Sequence, residues 1–248
     1  MGKNSKIEWT DHTFNPWHGC TKISAGCAYC YAKTQTDRWA NGKYWGKDAE
    51  RRFMGDKHWT QPLNWNKAQA KKNDLAFVFS GSMCDIFEDR QDLNDARKKL
   101  WDTIDKTPWL IWLLLTKRPE NIPLLMPLSV RTLSTVWLGV SVENQDHIER
   151  IDIMNDIYTN GAKFISAEPL LGPIDFGESL ARVDWVIAGG ESGRGSRPMD
   201  PDWARSILTQ CRTYDVSFFM KQLGGFPDKR HDILTFPEDL QIREIPRQ

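Results

Sequence analysis

Three cysteines stand within eleven residues, in the segment Cys20-Thr-Lys-Ile-Ser-Ala-Gly-Cys27-Ala-Tyr-Cys30. Thiolates are soft metal ligands, and a C-x2-C pair can place two of them on one metal or cluster. Cys20 can reach the same centre through a loop, with Gly19 and Gly26 easing the backbone where it must turn. No further cysteine follows nearby. A [4Fe–4S] cluster on Cys20, Cys27 and Cys30 would therefore keep one iron open, as catalysis requires and a structural site does not. Zinc is the alternative, with His18 or His12 completing a Cys3His site or Cys84 supplying a fourth thiolate. The spacing leaves cluster and zinc both open.

The polar residues that follow short apolar runs form a second constellation. The runs are Ala76–Phe79, Leu110–Leu115, Val136–Val140, Lys163–Ile165, Val183–Ala188 and Val216–Met220. After them come Ser80-Gly81-Ser82, Lys117-Arg118, Glu143, Glu168, Gly189-Gly190-Glu191 with Arg194 and Arg197, and Lys221-Gln222. Polar residues also mark ordinary loop starts. Six such ends in a row point instead to a shared polar site, with Lys117, Glu143, Glu168 and Lys221 as its candidate catalytic groups.

Those ends converge only if the runs are neighbouring parallel strands. Each run is short, rich in β-branched or aromatic residues and nearly all apolar, which is how a strand buried on both faces reads. Between them, Asp92–Lys106, Asn144–Ile157 and Pro201–Arg212 carry apolar residues at helical spacing, the last with Asp200 as its N-cap. Strand–helix alternation implies parallel strands with right-handed crossovers. With an opening strand near Lys6–Trp9, six or seven units fit. The expected fold is α/β, a partial or complete parallel TIM-like barrel with its site at the strands' carboxyl ends. An open doubly wound sheet is the second choice.

The segment 38–69 departs from this rhythm and reads as an insertion. It mixes Arg38, Lys43, Lys47, Arg51, Arg52 and Lys57 with Trp39, Tyr44, Trp45, Phe53 and Trp59. Interleaved cations and rings can bind phosphates and stack bases, so a nucleic acid or nucleotide is a candidate substrate. Asp48 and Glu50 dilute that signal. Globally there is none, since Lys plus Arg and Asp plus Glu are 33 each.

With 248 residues and 40% hydrophobic content, the chain needs no disulfides to offset a small core, and its five cysteines are an odd number. No run approaches the ~18 apolar residues of a membrane span. The opening MGKNSKIEWTDHT lacks the apolar stretch of a secretory signal. The expectation is one soluble, cytoplasmic domain spanning 1–248, with no membrane partner. Cys211 reads as core and Cys84 as a packed thiol.

Cys27-Ala-Tyr29-Cys30 resembles the second half of the radical S-adenosylmethionine signature, cysteine, x3, cysteine, x, aromatic, cysteine. The first gap here is six residues rather than three. More narrowly, Asn15-Pro-Trp, Leu115-Thr-Lys-Arg-Pro119, Gly139-Val-Ser-Val-Glu143, Ser166-Ala-Glu-Pro-Leu-Leu-Gly172 and Met220-Lys-Gln222 resemble a phage- and prophage-associated family of three-cysteine proteins. The broader resemblance implies a [4Fe–4S] cluster, S-adenosylmethionine as cofactor, and a flavodoxin- or ferredoxin-like reductant. It sets Tyr29 beside the adenine. It sets Ser80, Gly81 and Ser82 where a glycine-rich motif holds the methionine amino group. Gly189, Gly190 and Glu191 resemble the platform that contacts adenine or ribose. Asn15, Trp17 and His18 would surround the cluster and tune it. Against this stand a zinc-dependent barrel hydrolase using Glu143 or Glu168 as base, and a metal-stabilised nucleic-acid-binding module without catalysis.

Overall fold

The computed structural model describes residues 5–193, 195–225 and 230–246. Arg194 lies outside them. Seven strands form one sheet: β1 (His12–Phe14), β4 (Ala76–Ser80), β5 (Leu110–Thr116), β6 (Val136–Ser141), β7 (Lys163–Ala167), β8 (Trp185–Gly189) and β9 (Ser217–Gln222). Every neighbouring pair is parallel, and the strands lie in chain order. The sheet is a half-barrel, the partial form of the expected TIM-like fold. A separate two-stranded antiparallel ribbon pairs β2 (Trp17–His18) with β3 (Arg52–Phe53).

Alternation along the strands builds two cores. Trp112, Leu114, Leu138, Val140, Ile165 and Val186 point to the convex face and pack under the helices. Ile111, Leu113, Trp137, Phe164, Trp185 and Ile187 point the other way and fill the concave face with Trp9, Phe79 and Phe219. Burial on both faces is what parallel strands between layers require. Gly139 is bare because the Phe164 ring occupies the space of its missing Cβ. The same alternation, carried past the strand ends, brings Ser141, Ser166 and the charged groups beyond them to the concave mouth.

Helix α1 (Tyr31–Ala40) starts beside the concave mouth, and the convex layer contains α2 (Asp56–Lys72), α3 (Asn94–Asp105), the short α4 (Ile122–Leu125) and α5 (Leu128–Arg131), α6 (Glu149–Asn155) and α7 (Pro201–Thr213). Helix α7 begins as its sequence implies: Asp200 accepts from the Asp202 N–H at 2.9 Å, with Pro201 at the first position. Helices α1 and α2 stop at Asn41 and Asn73, whose φ of 45° and 53° is the left-handed turn that asparagine tolerates.

Two expectations change. Lys6–Trp9 is not a strand; β1 lies at His12–Phe14, and Trp9 instead caps the concave core, 4.6 Å from the Phe79 ring centroid. The segment 38–69 is built partly into the fold itself. Its second half is α2, which buries Trp59, Pro62 and Trp65. Arg51 also leaves the exposed basic surface, being buried against Glu88 at 2.7 Å.

Candidate active site at the mouth of the half-barrel

Cys20, Cys27 and Cys30 all line one cavity of about 480 Å³ at the carboxyl ends of the strands. The loop that carries them runs from β2 into α1. Gly19 pairs with Cys84 in an isolated bridge, and its N–H donates to Met83 O at 3.0 Å. A 3₁₀ turn over Ala25–Cys27 then presents Cys27, and Cys30 stands just before the first turn of α1. All described cysteines are free thiols. Among the described residues no three His, Cys, Asp or Glu side chains converge so as to hold a metal ion. The three thiols border the cavity instead.

Their surroundings differ. Burial, with Asp85 adding to it, pushes the Cys20 thiol up to about 12. Burial likewise raises Cys30, against hydrogen bonds from the backbone at Lys33 and Ala32. At Cys27 burial also works upward, but a backbone hydrogen bond at Ile23, the Lys117 charge and Ser24 outweigh it, so its pKa falls below the ordinary thiol value. The Ser24 hydroxyl lies 3.6 Å from Cys27 Sγ.

Glu143 anchors this loop from below. It is buried and ion-paired to Lys117; it also accepts from Arg150 at 2.8 Å and from the Ser24 hydroxyl at 2.6 Å. A Cβ on Gly26 would lie 2.5 Å from the Glu143 carboxylate, so only glycine lets the loop sit there. Lys117 borders the cavity, whereas Glu143 stands behind it.

On the opposite side Lys221 Nζ lies 2.7 Å from Glu168 Oε1, and both line the cavity. The contact has the distance of an ion pair but not the direction of a hydrogen bond, so Oε1 stays open to another donor. Gly190 and Glu191 also line the cavity. The Gly190 N–H donates to Gln222 O at 3.0 Å and its carbonyl accepts from the Gln222 side-chain amide at 2.6 Å, while Glu191 is committed to Arg197 at 2.6 Å. Arg197 reaches over the mouth to Ala25 O at 3.0 Å and lies 5.4 Å above the Tyr29 ring. Gly81 and Ser82 border the cavity, and Ser82 Oγ accepts from Asn15 at 2.8 Å. Ser80 and Gly189 lie behind the lining.

Of the zinc candidates, His18 is buried with no hydrogen-bond partner on either ring nitrogen among the described residues, and burial lowers it to about 4. His12 stacks on Trp65, with ring centroids 4.4 Å apart. The groups that sequence reasoning missed are buried arginines. In the sequence Arg51 and Arg118 read as substrate contacts, and Arg150 carries no assigned role. All three turn inward onto carboxylates. The acids that receive them are Glu88, Asp85 and Glu143.

An all-parallel half-barrel with thiols and paired charges at its carboxyl mouth defines the class: an α/β protein with the architecture of a partial TIM barrel. The chain belongs to the family described as "Protein of unknown function (DUF5131)", whose model matches residues 4–241. No curated protein matches it. Among solved structures it is similar to a cysteine-to-alanine mutant of spore photoproduct lyase with a dinucleoside spore photoproduct, with a TM-score of 0.53 and 12% identity. That likeness covers 85% of this chain and 63% of the other. At such identity it carries the fold.

Proposed function

We propose that the chain is a radical S-adenosylmethionine enzyme whose Cys20, Cys27 and Cys30 hold a [4Fe–4S] cluster. One observation carries the reading: three free thiols border a single cavity at the carboxyl mouth of a parallel half-barrel. A cluster takes one iron per thiolate, so its ligands surround it and need not meet at a point. When bound, the cluster and S-adenosylmethionine supply a reducing electron and a hydrogen-abstracting adenosyl radical.

The chain's own residues position and enclose. Lys117 sets a positive charge beside Cys27 and is itself held by Glu143. Glu168 and Lys221 offer an acceptor and a donor to ribose or substrate from one pair. Tyr29, under Arg197, provides a ring face at the mouth. Trp9 and Phe79 close the apolar floor and exclude water. The buried Trp9 indole N–H lacks an acceptor among the described residues and can donate to the substrate.

A nucleotide or nucleic acid is the proposed substrate class. Arg52 stacks 4.6 Å over the exposed Trp39 ring on the β2–β3 side, an arrangement suited to phosphate and base together. The similar lyase structure holds a dinucleoside photoproduct. A small reductant of flavodoxin or ferredoxin type would deliver the electron.

The test is anaerobic reconstitution followed by iron and sulfide counts. About four of each per chain, and release of 5′-deoxyadenosine on adding dithionite and S-adenosylmethionine, would support the reading. A colourless protein with about one zinc, and no cluster after reconstitution, would overturn it in favour of the hydrolase.

A further inference from the structure

The Cys20-Thr21 step is gripped from two sides by buried arginines. Arg118 donates through Nη2 to Thr21 O at 2.7 Å, and its Nη1 points to Cys20 Sγ at 3.8 Å. Arg51 donates to the Thr21 hydroxyl at 3.0 Å and makes no hydrogen bond to the sulfur. Each guanidinium is neutralised from the loop after β4, Arg118 by Asp85 at 2.7 Å and Arg51 by Glu88 at 2.7 Å.

Asp85 is itself fixed. It accepts from the Thr116 hydroxyl at 2.7 Å and from the Phe87 N–H at 3.0 Å, so it cannot follow a moving arginine. The backbone of Arg118 is held as well, its N–H donating to Thr116 Oγ1 at 2.9 Å. Arg118 follows directly on Lys117 just past the end of β5 and lines the same cavity. Its head group there reaches a cysteine on another loop.

We infer that Arg118 is a positioning residue that sets the reduction potential of the cluster through Cys20, with Asp85 balancing its charge; this rests on the cluster assignment proposed above. Reduction adds one negative charge to the cluster and its thiolates. A nearby guanidinium that also donates to a ligand sulfur favours the reduced form and raises the potential. The Asp85 carboxylate, whose charge also reaches Cys20, opposes it.

The measurement is the midpoint potential of the reconstituted protein, by redox titration followed with electron paramagnetic resonance, in wild type, Arg118→Gln and Asp85→Asn. The expected result is a lower potential in Arg118→Gln and a higher one in Asp85→Asn. Opposite signs are the decisive feature, because loosening of the loop would move both partners' variants the same way. If Arg118→Gln does not load, Asp85→Asn decides alone: a rise supports the inference, and no shift or a fall overturns it. Loss of the cluster from both variants would also overturn it, making the pair a folding element only. A wild type that takes up no cluster would fail the parent assignment instead, whereas a loaded wild type with unmoved variants fails this inference alone.

Discussion

Glu168 and Lys221 meet across an intervening strand: Glu168 Oε1 and Lys221 Nζ are 2.7 Å apart at the ends of β7 and β9, with β8 between them. The contact exists because β8 presents Gly189 at that level. A Cβ there would lie 2.7 Å from Glu168 Oε1 and 3.5 Å from Gln222 Cγ. In the sequence Gly189 reads as part of a cofactor platform. Its observed place explains why an acid and a lysine from non-neighbouring strands share one edge of the cavity.

Gly189→Ala should therefore part this ion pair without disturbing the thiols on the other side. The added methyl group should cost about 1–3 kcal/mol of stability. If the proposed function holds, release of 5′-deoxyadenosine should fall about 10²-fold, the scale expected of a misplaced positioning group. Iron content should stay at the wild-type level. Parallel iron and product assays check it, and equal losses in both would show that the effect is general unfolding.

Gly26→Ala should do the reverse. Its new Cβ would sit 2.5 Å from the Glu143 carboxylate, and Lys117, Arg150 and Ser24 hold that carboxylate in place. The cysteine turn has to move instead. Iron uptake on reconstitution should drop severalfold while the melting temperature changes by only a few degrees. A variant that loads iron normally would show that the turn can relax.

Glu143 also predicts a pH dependence. Burial alone would raise its pKa, but Lys117, Ser24 and Arg150 hold the carboxyl below its ordinary 4.5. A depressed folded pKa contributes stability that is present above the unfolded value and is lost as pH falls through the folded one. Glu143→Gln leaves two cations facing a neutral group and should cost about 3–5 kcal/mol at pH 7. The gap from wild type should hold down to about pH 4.5 and shrink below it. Urea unfolding of both proteins across that range tests the sign, and a pH-independent gap would exclude it.

Much of this was legible in the chain. The strands β4 to β9 stand out as apolar runs, and the acids and lysines at their ends fall where parallel strands put them. What stayed hidden has physical causes. β1 is three residues long, carries His12 and Thr13, and pairs on one side only, so it lacks an apolar signature. Helix α1 sets six polar residues between Tyr31-Ala32 and Trp39-Ala40 and buries only Ala32 and Thr36, and α2 contains Pro62, which ordinarily argues against a helix interior. Buried arginines are the hardest to foresee, because an arginine in a sequence reads as surface until its carboxylate is located in space.

Arg51 makes that last point testable. Besides Glu88 and Thr21, its guanidinium donates to the carbonyls of Tyr44, Gly46, Ala49 and Glu50, at 2.8 to 3.3 Å. One side chain thus organises the turn that leads into β3. Replacing it with methionine keeps the apolar stem but leaves Glu88 buried without a counter-charge, which should cost about 3–5 kcal/mol. For a chain of this size that is a fall of about 6–20 °C in melting temperature. Arg51→Met combined with Glu88→Met should recover part of the loss, because the stranded charge is then removed as well. The turn at 44–51 would remain without its organiser in both variants, so limited proteolysis should cut there in each. Recovery of stability without recovery of protease resistance would separate the two tasks of this arginine, neutralising Glu88 and tying the loop.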